Sequence, residues 1–124
     1  MEASTQDKVV INLMTGHEDA DKVTIAFLVA TAALDRGKQV TTFLTKEAVR
    51  LAVPGYADAI ESAGAPPVSR LFAQYLAGGG ELFVCPICFH ARQLEEGALI
   101  PSAKLAGATP LWEWIDEGAT VFSY

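Results

Sequence analysis

Leu82-Phe83-Val84-Cys85-Pro86-Ile87-Cys88-Phe89-His90-Ala91-Arg92 contains both cysteines of this 124-residue chain, spaced C-x-x-C. The apolar run Leu82-Phe83-Val84 reads as a buried strand, and the residues from Ala91 to Glu96 are mostly good helix formers up to Gly97. Pro86 suits the first position of a helix, because its missing N–H would find no partner there and its φ is preset. Cys85 then becomes the residue capping that helix, facing unpaired N–H groups and the positive end of the dipole. A thiolate is favoured at such a place, which makes Cys85 the candidate nucleophile. Cys88 lies one turn on, where it can close a disulfide with Cys85 or resolve an adduct on it. His90 and Arg92 add positive charge to the same segment and are candidate substrate-binding residues.

Two other chemistries compete for these thiols. Free cysteine is often a small core filler. Zinc held by Cys85, Cys88 and His90 or His17 would fall short of the four ligands a structural site normally takes. Neither a metal nor an organic cofactor is expected.

Upstream, Lys8 to Met14 (KVVINLM) is a nearly unbroken apolar run with β-branched residues, as in a strand covered on both faces. Thr15-Gly16-His17-Glu18 follows, with Thr15 or Asp19 as helix cap. Val23, Ala26, Phe27, Ala30 and Leu34 fall on one face of a helix that stops at Gly37. Gln39 to Leu44 is the next strand, which completes a right-handed strand–helix–strand unit. Lys46 to Leu51 and Tyr56 to Ala63 read as short helices, and Val68 to Leu76 as an amphipathic one ended by Gly78-Gly79-Gly80. Downstream, Gly97 to Ala106 reads as loop. Thr109-Pro110 starts a helix through Asp116, and Ala119 to Tyr124 is a last strand. The whole predicts a single domain over residues 1–124: an α/β fold with a mostly parallel sheet of four or five strands and helices on both faces. Trp112 and Trp114, two apart on a helix, cannot share a face, so one is expected in the core and the other at an interface.

In such sheets ligands bind beyond the carboxyl ends of the strands. Those ends carry His17, Lys46 and Cys85, so His17 and Lys46 join the candidate binding residues. Each also has a plain structural role, His17 in an exposed loop and Lys46-Glu47 in the solvated first turn of a helix.

Composition bounds the partners. Fifteen acidic residues against nine basic ones give a net charge of −6, which disfavours a phosphate backbone as ligand. The polar start from Met1 to Lys8 has no hydrophobic signal core. The longest nearly apolar stretch, Val23 to Leu34, is too short to span a bilayer. A cytoplasmic location is the expectation, with the cysteines resting as thiols. The 51% hydrophobic content is high for a small chain and points to a subunit interface.

The Cys-Pro-x-Cys sequence invites comparison with thioredoxin, but there the motif follows an early strand, whereas here it stands late in the chain. The order KVVINLMTG, Ala-rich helix, GKQVTTFL, GGGELFVCPICFHAR and GATPLWEWIDEGATVFSY instead resembles the DsrE/DsrF-like sulfur-relay family over nearly the whole chain. The resemblance implies a flavodoxin-like layered fold and homotrimers or homohexamers. It also implies a cysteine, here Cys85, that carries persulfide sulfur between donor and acceptor proteins or small polysulfides. The second thiol, Cys88, keeps a dithiol oxidoreductase open as an alternative. An oligomeric ligand-binding or scaffold protein without catalysis is a third.

Overall fold

The computed structural model of the protein describes residues 7–124. The polar start therefore lies outside the described residues except for Asp7 and Lys8. Among the described residues no helix is long and apolar enough to cross a membrane.

The apolar runs become the strands β1 (Lys8–Leu13), β2 (Gln39–Leu44) and β3 (Glu81–Val84). Two more form at the edges: β4 (Ala103–Leu105) and β5 (Thr120–Ser123). All five are parallel, in the order β4-β3-β2-β1-β5. The helices are α1 (Ala20–Asp35), α2 (Val68–Ala77), α3 (Pro86–Ala91) and α4 (Ala108–Asp116). β1, β2 and β3 lie inside the sheet and are buried over most of their length, which is why their sequences read as continuous apolar runs without a two-residue alternation.

The chain steps from β1 to β4 toward one edge, then returns to the other edge for β5. A right-handed crossover places its helix on one face when stepping one way and on the opposite face when stepping back. Accordingly α1 and α2 join Val9, Ile11, Leu13, Val40, Leu44, Leu82 and Val84 in one core. Phe27 of α1 meets Phe72 and Tyr75 of α2 edge-on, at centroid distances of 5.3 and 5.4 Å. On the other face α4 sets Trp114 edge-on against Phe83 at 6.0 Å, with the Lys8 ammonium 4.4 Å from the indole centroid. Neither tryptophan is fully buried, contrary to the expectation of one in the core: Trp114 is half-buried against that face of the sheet and Trp112 is 59% exposed.

Tyr75 ties the first face to the sheet. Its hydroxyl donates to the Glu81 carbonyl at 2.6 Å and accepts from the Thr42 hydroxyl at 3.0 Å. Burial pushes the phenol up from its ordinary range. Gly80 is required beneath it, since a β-carbon there would run into the tyrosine ring.

Several local readings are corrected. Of the two cap candidates for α1, Asp19 serves and Thr15 does not: the Asp19 Oδ1 accepts from the Lys22 N–H at 3.2 Å. Glu18 instead serves Gly16 N–H at 2.9 Å, and residues 17–19 form a 3₁₀ turn. Lys46–Ala52 is 3₁₀ helix, and the expected helix from Tyr56 to Ala63 shortens to a 3₁₀ turn over Tyr56–Ala59. Ile60, buried in the core, leaves that turn in extended conformation, and its carbonyl receives Val68 N–H at 3.1 Å. The helix after Cys85 stops at Ala91 well short of Gly97, because Gln93 adopts a left-handed φ of 57°. That turn lets Leu94 N–H bond back to the Phe89 carbonyl and brings the Leu94 side chain onto the core. The segment assigned as loop contains β4, whose three residues pair with Leu82, Phe83 and Val84. The last helix begins at Ala108 with Gly107 as its cap, ahead of Thr109-Pro110.

Candidate functional site

The carboxyl ends of the strands form one rim, stitched by backbone hydrogen bonds. Met14 N–H reaches Tyr124 O, Thr45 N–H reaches Leu13 O, Cys85 N–H reaches Leu44 O and Ala106 N–H reaches Val84 O, all at 2.9–3.0 Å. β3 leads into α3, whose Phe89 enters the first-face core, while β4 leads into α4 on the opposite face. In open parallel sheets the carboxyl ends of neighbouring strands whose connections leave for opposite faces are the usual place for a ligand. Cys85 and Gly107 occupy those two ends, with the Pro86 ring beside Gly107.

Cys85 caps α3 and Pro86 takes its first turn, as the sequence predicts. No side-chain capping bond ties Cys85 down. Both cysteines are free, half-buried and packed on the edge of the core. Between them Ile87 points outward, 80% exposed.

The remaining candidates divide among separate contacts. His17 stacks on Tyr56, with centroids 5.5 Å apart, and its backbone N–H donates to the Tyr56 hydroxyl at 2.9 Å. Lys46 is exposed at a left-handed φ of 52°. His90 Nε2 lies 2.8 Å from Glu96, both in solvent. Arg92 turns back toward the thiol segment: its Nη1 donates to the Cys88 carbonyl at 3.2 Å and its Nε donates to Glu47 at 2.6 Å. Among the described residues, no hydrogen bond joins His17 or Lys46 to either thiol, and no group of three or more His, Cys, Asp and Glu is arranged to hold a metal ion.

Glu47 was not legible as a site residue, since a glutamate in the first turn of a helix looks merely solvated. It is instead a junction. One carboxylate oxygen accepts from Arg92 and the other from Arg50 at 2.8 Å. These two guanidinium groups hold its carboxyl below the usual glutamate range, Arg92 contributing most. Tyr56 is the other residue missed. Its hydroxyl fills the space beside Gly16, where a β-carbon would also crowd Glu47 Cβ at 3.1 Å. Partial burial pushes that phenol up.

An open parallel sheet with a thiol at the strand–helix turn of its rim defines the class of protein. Residues 7–124 match the DsrE/DsrF-like family, and the chain belongs to it. It is 26% identical over 111 residues to the uncharacterised protein MJ0760 of Methanocaldococcus jannaschii, an alignment covering 90% of this chain and 40% of that protein. The chain thus spans well under half the length of this curated relative.

Solved structures share the fold. The ychN protein of E. coli superimposes with a TM-score of 0.76 at 16% identity, covering 95% of this chain and 99% of that one. MTH1491 from Methanobacterium thermoautotrophicum, described as of unknown function, gives 0.69 at 12% identity, covering 94% and 98%. BT1422 from Bacteroides thetaiotaomicron, described likewise, gives 0.64 at 18% identity and covers 100% of both chains.

Proposed function

We propose that the protein is a sulfur carrier that holds persulfide sulfur on Cys85. The observation that carries this reading is Cys85 itself: a free, half-buried thiol at the end of β3, capping α3 on the carboxyl rim of the sheet. The family resemblance supports the reading, because it implies a sulfur-carrying cysteine at the position of Cys85. The Cys85 thiolate attacks the outer sulfur of a donor persulfide, R–S–SH. A bond forms from Cys85 Sγ to that sulfur, the donor S–S bond breaks, and R–S⁻ leaves. The product is Cys85–S–SH, with no net oxidation, and the acceptor's thiolate removes the sulfur by the same exchange. Donor and acceptor are proteins or small polysulfides, and exposed Ile87 offers a protein donor an apolar foothold beside the thiol. Homo-oligomers, trimers or hexamers by family likeness, are part of the same proposal.

A second reading has its own observation, the free Cys88 one turn away. The Cys88 thiol attacks Cys85–S–SH at the inner sulfur, forming Cys85–S–S–Cys88 and releasing hydrogen sulfide. Repeated with an external reductant of the disulfide, this is dithiol oxidoreductase chemistry. Intact-mass spectrometry of the reduced protein after polysulfide exposure separates the two. Retained sulfur that vanishes in Cys85→Ser and survives in Cys88→Ser supports the carrier. Loss of two hydrogens that needs both cysteines supports the oxidoreductase, and an unchanged mass overturns both.

A further inference from the structure

The helix bearing Cys88 has only six residues, far too few to persist without tertiary support. Phe89 anchors its inner face in the core. Its carboxyl end is held by Arg92, which spans from the Cys88 carbonyl to Glu47 in the 3₁₀ helix Lys46–Ala52 that follows β2. The backbone at both ends of this bridge adopts a rare conformation. Among the described residues only two non-glycines have a left-handed φ: Lys46, immediately before Glu47, and Gln93, immediately after Arg92. Such residues persist where the surrounding structure over-determines them. The Gly16 turn lies close against the Glu47 side chain, with Tyr56 and Glu47 together lining the space beside it. Arg50 occupies the other Glu47 oxygen, so the carboxylate cannot swing away without breaking a second ion pair.

We propose that Glu47 is a positioning residue for the thiol site: by holding Arg92 it keeps α3 seated and Cys88 half-buried against the core. The clamp acts on Cys88, whose carbonyl it holds, and thereby restrains the reactivity of that thiol. This deepens the carrier reading and takes its biological meaning from it, but thiol reactivity reports on the clamp without any sulfur transfer.

The test is the alkylation rate of each cysteine by iodoacetamide, followed by peptide mass spectrometry, in the natural chain and in Glu47→Gln, Arg92→Lys and Arg50→Gln. Lysine keeps the charge of Arg92 but lacks the fork that reaches Glu47 and the Cys88 carbonyl together. Glu47→Gln and Arg92→Lys are expected to speed Cys88 by about three- to fivefold, the scale of losing one partly exposed ion pair. Cys85 should change much less. Arg50→Gln, which leaves the Arg92 bond in place and removes only a supporting contact to Glu47, should speed Cys88 clearly less than either. Unchanged Cys88 reactivity in a folded Arg92→Lys protein overturns the proposal, as does an equal rise in Arg50→Gln. If the natural chain takes up no sulfur from polysulfide, the carrier reading fails while the alkylation result still decides the clamp.

Discussion

Thr41 sits at the centre of β2, fully buried, and its hydroxyl finds no hydrogen-bond partner among the described residues. Its neighbour Thr42, on the opposite face, is satisfied by Tyr75. A buried hydroxyl without a partner carries a desolvation penalty that a methyl group of similar shape does not. Thr41→Val is therefore expected to stabilise the fold by roughly 1 kcal/mol, read as a higher urea midpoint at unchanged slope. A lower midpoint would mean that the hydroxyl is bonded in solution. Glu47 makes a prediction of the opposite kind, because its stabilisation depends on charge. Its carboxyl is held down in the folded state by Arg92 and Arg50, with Tyr56 and Glu18 also grouped around the Gly16 turn. A carboxyl depressed by folding contributes stability above the ordinary glutamate range and loses it as pH falls through the folded value. The stability gap between the natural chain and Glu47→Gln should accordingly be full near neutrality and close in acid. A gap independent of pH would show that the ion pairs contribute nothing.

At the scale of elements, α3 shows how a short helix is delimited. Cys85 and Pro86 start it by local chemistry that is legible in the sequence. Its end is set by Gln93, a residue with no particular preference for the left-handed conformation it adopts. Glycine has no such cost, so Gln93→Gly is expected to raise stability by about 1 kcal/mol. Thermal unfolding measures it, and a lower midpoint would mean that the glutamine side chain makes a contribution of its own. β4 was illegible for a different reason. Ala103-Lys104-Leu105 is too short for any alternation to register, and its strand character comes from pairing with β3. An exposed lysine at its centre also suits an edge strand, where a charge discourages further pairing.

The molecule as a whole leaves apolar surface uncovered on α1 and β5. Ile25, Leu28, Val121 and Phe122 are all exposed, and Phe122 lines a hollow with Val29 and Ala32 of about 340 Å³. Together with the hydrophobic composition this is the physical basis for expecting self-association. Light scattering should give a mass that is a multiple of the chain's 13.2 kDa, and Leu28→Glu with Phe122→Glu should lower it while circular dichroism is retained. A monomer at micromolar concentration would refute the expectation.

The order of the main strands and helices, the parallel sheet and the placement of Cys85 at a strand–helix turn were determined by the sequence alone. They follow from local causes: apolar periodicity, a proline's fixed φ and glycine stops. Tertiary structure alone decided that Gln39–Leu44 would bring Glu47 beside Arg92, that Tyr56 would fill the space at Gly16, and that three residues after Pro101 would become a strand. Each of these joins residues distant in the chain. Their geometry depends on where the sheet has already carried the backbone, which no neighbouring residue encodes.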